Sequence, residues 1–486
     1  MRAVGWLYML ALVSLAGAQM LLGADPWVLS VLLAIAATAL VPVVKGGWRI
    51  SDGLFALMTV YFGSASLIVK TLARQPVQMN LQVPDLSAAY LLAGFASISL
   101  GYLMSQFIRR PSHFAGALNR LLGNPEKLSA FALPVFMLGA IALFLQTQFR
   151  PLAGNGGFEG GGFGGFGTFY PLLVLGAAMQ TALAVRRPRQ TRHIIVLGAI
   201  AAVILILTLA DNTKRTLFDF LFVLGLTAVS LQMRPRWRWI GAGLVAGAAA
   251  LALIAPAIQI VRAQADARGL DRVAATATVL RDYEYNPLRL AEAADRIATG
   301  YELAWRDSYV FPRTWNTERF TMIQPIDQVA RALDERGTIG GDDLWRDPAE
   351  TLLPGFLLDK SLATAPDRIA WHYGFRANGS IARPVVGLVA SSLAAFGLAG
   401  VLLLPALTVA FTFGLLDYAG GRLRGNTWAA FLLAVSAFLA EREVSTTLSF
   451  FCRNFPFILL AGATLILIGG RRSKPVRVIP INEMPL

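Results

Sequence analysis

The stretch HIIVLGAIAAVILILTLADNTKRTLFDFLFVLGLTAVSLQMRPRWR (193–238) holds two apolar runs, a short charged turn between them and a cluster of arginines at its end. A helix needs about 20 predominantly apolar residues to cross the hydrocarbon core of a bilayer. The runs near 193–210 and 215–232 approach that length, and Arg234, Arg236 and Arg238 follow the second. Lysine and arginine accumulate in cytoplasmic connections. The segment therefore reads as two membrane-spanning helices whose intervening turn, Asp211 to Arg215, faces away from the cytoplasm.

The same reading extends along the chain. Further apolar runs lie near 4–22, 27–44, 53–73, 86–108, 129–147, 169–185, 239–262, 384–416, 427–444 and 454–470, which makes about twelve spans in all. Several are rich in Gly and Ala, as close helix packing in lipid favours. Composition agrees with this all-α, polytopic reading. The 486 residues are 56% apolar and only 15% charged, whereas soluble chains are about a quarter charged.

The formal charge of +14 does not point to nucleic acid, because the arginines sit in short clusters between apolar runs. Such clusters mark cytoplasmic loops held against anionic lipid. The connections after spans two, four, six, eight and ten carry Lys45/Arg49, Arg109/Arg110/Arg120/Lys127, Arg186/Arg187/Arg189/Arg192, Arg234/Arg236/Arg238 and Arg422/Arg424. The tail adds Arg471, Arg472, Lys474 and Arg477. The alternate connections are poor in cations apart from Arg74, Arg150, Lys214/Arg215 and Arg442/Arg453. Both termini are expected on the cytoplasmic side. Arg2, the apolar run to Leu15 and Ala16-Gly17-Ala18 also resemble a signal peptide, but a retained first span is the expectation. The single cysteine, Cys452, excludes an internal disulfide and a cysteine-cluster metal site.

Three parts follow: spans one to nine in 1–262, a large external loop domain in 263–383, and spans ten to twelve with a tail in 384–486. Within the loop domain, Leu290, Ala294, Ile297 and Tyr301 recur at helical spacing after an Asn286 cap and Pro287. Ile326, Val329, Ala330 and Leu333 do so after Pro325, with Gly337 placed to close that helix. Trp305, Phe311, Trp315, Trp345, Trp371 and Tyr373 lie in the same loop, as interfacial aromatics or as platforms for sugar rings. A second external segment, PLAGNGGFEGGGFGGFGT (151–168), has no helical or strand period and reads as a flexible lid or linker.

The stretches TLLPGFLLDKS (351–361), HYGFRANGS (372–380) and RPVVGLVASSLAAFGLAGVLLLPAL (383–407) resemble bacterial O-antigen and exopolysaccharide polymerases of the Wzy type. The matching residues are Pro354, Asp359, Lys360, Ser380, Phe396, Gly397 and Gly400. The turn Asp211-Asn212-Thr213-Lys214-Arg215 is similar to a short external turn with an Arg in that family. The likeness covers residues from about 190 to 416. It departs before the Phe-Gly pair, where the family commonly has an aromatic or acidic residue and this chain has Ser391, Ser392, Ala394 and Ala395.

The resemblance implies a metal-independent glycosyltransferase with no cofactor at the external face of a bacterial inner membrane. A growing glycan on undecaprenyl diphosphate would pass to the terminal hydroxyl of a new lipid-linked repeat unit. Its partners would be that lipid-linked glycan, membrane lipid and a chain-length regulator, with no nucleic acid. An O-antigen ligase and a flippase or transporter for lipid-linked sugars are the competing functions.

Such chemistry needs cations for the diphosphate, best supplied by the bidentate arginine fork, and a base for the acceptor hydroxyl. Arg215 and Asp219 share a helix face four residues apart, with Lys214 adjacent. They read either as a structural pair anchoring span eight or as a diphosphate reader and its positioning carboxylate. His372 is the only imidazole on the external side, four residues before Arg376. Glu441 is the alternative base, beside Arg442 and Glu443. Lys360, Arg376 and Arg383 cluster before span ten, as phosphate contacts or as a basic interfacial collar. The Arg-to-Gly spacing described for the family fits Arg289 with Gly300 and Arg376 with Gly387, which makes Arg289 a further substrate-binding candidate. No metal is expected, since Asp342-Asp343 in a Gly-rich turn lacks a third ligand.

Overall fold

The computed structural model describes residues 2–46, 48–107, 111–149, 166–233, 247, 249, 252–262, 269–299, 309–310, 320–353, 363–376, 378–379 and 384–471. Among them every regular element is a helix. In chain order these are α1 (Arg2–Leu21), α2 (Pro26–Lys45), α3 (Ile50–Leu72), α4 (Pro84–Ser105), α5 (His113–Gly123) and α6 (Pro125–Phe149). Next come α7 (Tyr170–Arg186), α8 (Thr191–Asp211), α9 (Arg215–Ser230), α10 (Ala252–Arg262), α11 (Gly269–Asp282) and α12 (Pro287–Thr299). The last are α13 (Ile323–Arg336), α14 (Asp342–Leu352), α15 (Ala365–His372), α16 (Gly387–Gly420), α17 (Thr427–Glu441) and α18 (Val444–Gly469).

Eight helices are long and apolar enough to cross a membrane: α2, α3, α4, α6, the segment Phe166–Arg186 that contains α7, α8, α16 and α18. Of the other expected spans, α1 has 20 residues and α9 has 16, Thr427–Glu441 is a short apolar helix, and the ninth is described over Ala252–Arg262 and at 247 and 249. Helix α17 closes with a 3-10 turn over Ala437–Glu441 and stops there because Arg442 is extended (φ −97°, ψ 155°). Helix α5 was not anticipated. It starts at Ser112, whose hydroxyl accepts from the Ala115 N–H at 3.1 Å.

Glycines set the helix contacts. A Cβ on Gly139 would overlap the backbone of Leu173, and one on Gly176 would overlap that of Phe136, so α6 and α7 pack antiparallel at backbone contact. Helices α4 and α16 run parallel. Gly94 faces Val389, the Ser97 hydroxyl donates to the Leu402 carbonyl at 2.7 Å, and Gly101 faces Ala406 and Val409. From Gly94 to Gly101 α4 rises about 10 Å, whereas Val389 to Ala406 on a straight helix would rise about 25 Å. The difference is absorbed by a break at Phe396 (φ −140°, ψ 20°) and Gly397 (φ 60°, ψ −144°). The residues ahead of the break, 387–395, are all buried, and Gly400 packs against the Ser392 carbonyl.

The described parts of 263–383 do not share one core. Val279, Leu290, Ala293 and Ala294 of α11 and α12 cluster with Ala257, Ile260 and Val261 of α10. Tyr309, Met322, Ile323, Ile326, Val329, Leu344, Ile369 and Tyr373 instead join the core of the bundle. The Asn286 side chain caps α12, accepting from the Leu288 N–H at 3.0 Å. Gly337 ends α13 at φ +67°.

Two buried polar contacts fasten α13 and Tyr309 to the spans. Asp327 is 3% exposed and accepts from the N–H groups of Gln82 and Val83 and from the Ser87 hydroxyl, all at 2.9–3.0 Å. Lys70, fully buried on α3, donates to Gln75 Oε1 at 3.1 Å, to the Met79 carbonyl at 2.6 Å and to the Tyr309 carbonyl. Its ammonium also lies 4.2 Å from the Tyr309 ring centroid.

Candidate active site

The turn that joins α8 to α9 is shaped by Asn212, which ends α8 in the left-handed region at φ +54°. Asn tolerates that conformation better than most residues because its short polar side chain can hydrogen-bond locally to the backbone and offset the Cβ clash. Thr213 then donates to Asp211 at 2.9 Å, and Lys214 and Arg215 open α9. Cations at a helix N-terminus oppose the macrodipole at a cost of about 0.3–1 kcal/mol each. That placement is unfavourable for structure alone.

Arg215 is held on three sides. Its Nε donates to Asp219 Oδ2 at 3.3 Å, and the same oxygen accepts from the Tyr170 hydroxyl at 2.7 Å. The guanidinium carbon lies 4.5 Å from the Phe438 ring centroid and 5.3 Å from that of Tyr170. Among the described residues its Nη groups have no hydrogen-bond partner in the protein, and the side chain is 44% exposed. The result is a guanidinium fixed by its Nε edge and two aromatic faces, with its Nη fork presented outward.

The last turn of α17 brings the second element. It supplies Phe438 to the Arg215 face and ends at Glu441, which is 7% exposed and interacts electrostatically with both Arg215 and Asp219. Arg442 Nη2 lies 3.7 Å from Glu441 Oε1. Glu443 follows, 1% exposed, with Oε1 accepting from the Thr446 hydroxyl and Oε2 buried without a hydrogen-bond partner. Burial pushes its carboxyl up, Asp347 adds to the rise, and Arg442 opposes both. Asp347 on α14 accepts from the Ala365 N–H at 2.7 Å and from Arg368 Nη2 at 2.9 Å, and the Ser445 hydroxyl reaches it at 3.4 Å. Helices α14 and α15 are thereby pinned to the start of α18.

The candidate residues named from sequence divide into three groups. Arg215 and Glu441 converge, with Lys214 adjoining them at the α9 N-terminus. His372 and Arg376 are committed elsewhere. His372 Nε2 lies 3.0 Å from the Arg336 carbonyl, Arg336 Nη1 donates back to the His372 carbonyl, and Tyr373 donates to the Gly337 carbonyl at 2.8 Å. These contacts satisfy the carbonyls at the end of α13, so the imidazole serves a helix terminus. A carbonyl only accepts, so Nε2 carries a proton there. Arg376 is half-buried, which pulls its guanidinium below its ordinary pKa, while Asp367 opposes the shift. Arg289 pairs with Glu284 at 2.8 Å on the surface, and both side chains are more than half exposed. Lys360 and Arg383 lie outside the described residues, as do Pro354, Asp359, Ser380 and Gly300.

Other motif residues have structural occupations. Phe396 and Gly397 form the break in α16, and Gly387 starts that helix at φ +77°, where a Cβ would press on Met322 Sδ. Asp343 is engaged by Arg368. Of the 151–168 segment, Phe166 to Thr168 are described. They belong to a 3-10 turn, and the Thr168 hydroxyl accepts from Arg453 Nε at 3.0 Å.

Sequence reasoning missed Tyr170 and Phe438. Tyr170 had a usable signal, an aromatic hydroxyl beside Pro171 at the external end of an expected span. Phe438 had none, being one aromatic in an apolar run. No protein-family model, no curated protein and no solved structure matches this chain.

Proposed function

We propose that this protein is a membrane glycosyltransferase of about twelve spans that joins undecaprenyl-diphosphate-linked oligosaccharide units into O-antigen or exopolysaccharide. The reaction takes place at the periplasmic face of a bacterial inner membrane, with both termini cytoplasmic. One observation carries the reading: an outward Arg215 fork, locked by Asp219, Tyr170 and Phe438, stands beside a buried carboxylate, Glu441. A locked guanidinium with two adjacent N–H groups suits phosphate oxygens, and the unfavourable cations at the α9 N-terminus are relieved when an anion binds.

In this scheme the Nη groups of Arg215 hold the diphosphate of the donor. The acceptor hydroxyl attacks the anomeric carbon, a new carbon–oxygen bond forms, and the bond from that carbon to the diphosphate oxygen breaks. The electron pair leaves on the diphosphate, whose added charge Arg215 stabilises. The hydroxyl proton passes to Glu441. His372 is placed instead at the end of α13, where its Nε2 donates to the Arg336 carbonyl.

The test compares Arg215→Ala, Glu441→Gln and His372→Ala in the native host, with surface glycan resolved by length. Losing a charge-assisted contact of about 1.5–3 kcal/mol slows elongation roughly 10- to 150-fold. Arg215→Ala and Glu441→Gln are expected to leave single attached repeats and no long chains, while His372→Ala elongates normally. A normal length distribution in Arg215→Ala at normal protein level would refute the proposal. Loss of glycan at every length, single repeats included, would transfer the assignment to a ligase or flippase.

A further inference from the structure

A second cluster of cations is built at the opposite ends of the same helices. The connection between α16 and α17, Gly421 to Asn426, is held rigid by backbone contacts to two other parts of the chain. The Leu423 N–H donates to the Trp48 carbonyl at 2.9 Å, the Gly425 N–H to the Ser230 carbonyl at 2.7 Å, and Asn426 Nδ2 to the Gly420 carbonyl at 2.8 Å. Gly421 and Gly425 turn the chain at φ +75° and +70°. The Leu423 contact belongs to an antiparallel bridge that sets Arg49 opposite Arg422. Like charges in directly opposed positions repel, so such a pair is favoured only where something negative neutralises it.

Where this pair lies, one carboxylate stands against three arginines. A recess of about 400 Å³ opens between these arginines, lined by Arg49, Arg422, Arg424, Asn119, Asn426 and Asp417. That volume is in the range of small-ligand sites. Asp417 is the one carboxylate in the lining. It is spent on the Ser51 N–H at 3.0 Å and the Ser51 hydroxyl at 2.7 Å, with Arg49 Nη1 at 3.9 Å. With its amide oriented to accept, Gln232 receives Arg424 Nη2 at 3.1 Å, a neutral contact. Among the described residues neither Arg422 nor Arg424 makes an ion pair.

We propose that this recess binds a phosphate-bearing group, gripped by the opposed forks of Arg49 and Arg422 and by Arg424. Rigid placement distinguishes it from a solvated basic collar, because the loop is ordered before the ligand arrives. The phosphate can belong to an anionic lipid headgroup at the membrane surface or to a soluble phosphate.

The experiment uses the full chain purified in a neutral maltoside detergent. Thermal stability and bound lipid by native mass spectrometry are followed on titration with dioleoyl phosphatidylglycerol, with dioleoylglycerol, which lacks phosphate, and with inorganic phosphate. Phosphatidylglycerol is expected to raise Tm and remain bound. Arg422→Gln/Arg424→Gln should weaken that response about tenfold or more, while Arg120→Gln, a cation outside the recess lining, responds as the parent. Inorganic phosphate giving the same arginine-dependent shift would support the site and name a soluble ligand. Arg422→Lys/Arg424→Lys keeps the charge and loses the fork, and should bind more weakly even if the glutamine variant fails to fold. Equal responses in the parent and both double variants, or equal stabilisation by dioleoylglycerol, would overturn the proposal.

Discussion

Removing the Asp327 carboxylate should loosen the junction between α13 and α4. Asp327→Ala deletes the acceptor for two backbone N–H groups, those of Gln82 and Val83, and for the Ser87 hydroxyl. Asp327 is 3% exposed and Ser87 is buried, so that hydroxyl is not freely rehydrated, whereas Gln82 and Val83 lie nearer solvent and are rehydrated in part. A buried donor left without its acceptor costs about 1–3 kcal/mol, and the lost partner here is charged. The negative charge also lies just ahead of the α4 N-terminus, where it favours the helix. With water entering part of the space, the net cost is about 3–4 kcal/mol, which raises local opening roughly 10²- to 10³-fold. Asp327→Asn keeps an acceptor oxygen and should lose about half as much. Hydrogen exchange by mass spectrometry on the purified protein reads this directly, since exchange at Gln82 and Val83 follows the opening equilibrium. The peptide covering α13 should accelerate with them, and α6 should not. Unchanged exchange at Gln82 and Val83 in Asp327→Ala would show that this carboxylate does not hold the junction.

Three other perturbations separate packing from chemistry. Gly176→Ala drives a Cβ into the Phe136 backbone and forces α6 and α7 apart, costing about 1–3 kcal/mol, whereas Gly198→Ala meets nothing within 4 Å and should not lower Tm. Thermal melts in detergent should show opposite behaviour for the two. Gly397→Ala places a side chain at φ 60°, ψ −144°, at a cost of about 1–3 kcal/mol, and should lower Tm and loosen the buried half-helix 387–395. The carboxyl of Glu443 is raised by burial, so the folded state holds its proton more tightly than the unfolded state does. Its stabilising contribution is therefore full below the ordinary value of 4.5 and is lost as pH rises toward the folded value. Glu443→Gln should raise Tm over the parent at pH above neutrality, with the advantage vanishing in acid; a pH-independent difference would contradict this.

The helices were legible because their determinants are local. The Asn286 cap and Gly337 act within a turn or two and the structure keeps both, and eight of the apolar runs are helices long enough to span a membrane. The grouping of cationic connections was legible for a similar reason. Arg49 and Arg422, assigned to one face from charge alone, are paired by a backbone bridge. Less legible were the start of α18, which lies at Val444 and not near 454, and α16, where Phe396-Gly397 breaks the helix. The break in α16 depends on what packs alongside: a Cβ on Gly341 would press on the Phe396 ring, and the Ile339 N–H donates to the Ala394 carbonyl ahead of the break.

The sequence alone determined that this is a helical, multi-pass chain whose cations alternate between its connections, because hydrophobic length and charge are properties of short segments. It could also nominate Arg215 and Glu441 separately. Only the tertiary structure decided that they stand together with Tyr170 and Phe438, and that His372 closes a helix end instead. Residues far apart in the chain meet where small side chains let helices approach and where each polar group finds a partner. Neither condition is expressed in local spacing, so elimination by topology selected the imidazole while packing gathered Asp219, Tyr170, Phe438 and Glu441 around the arginine.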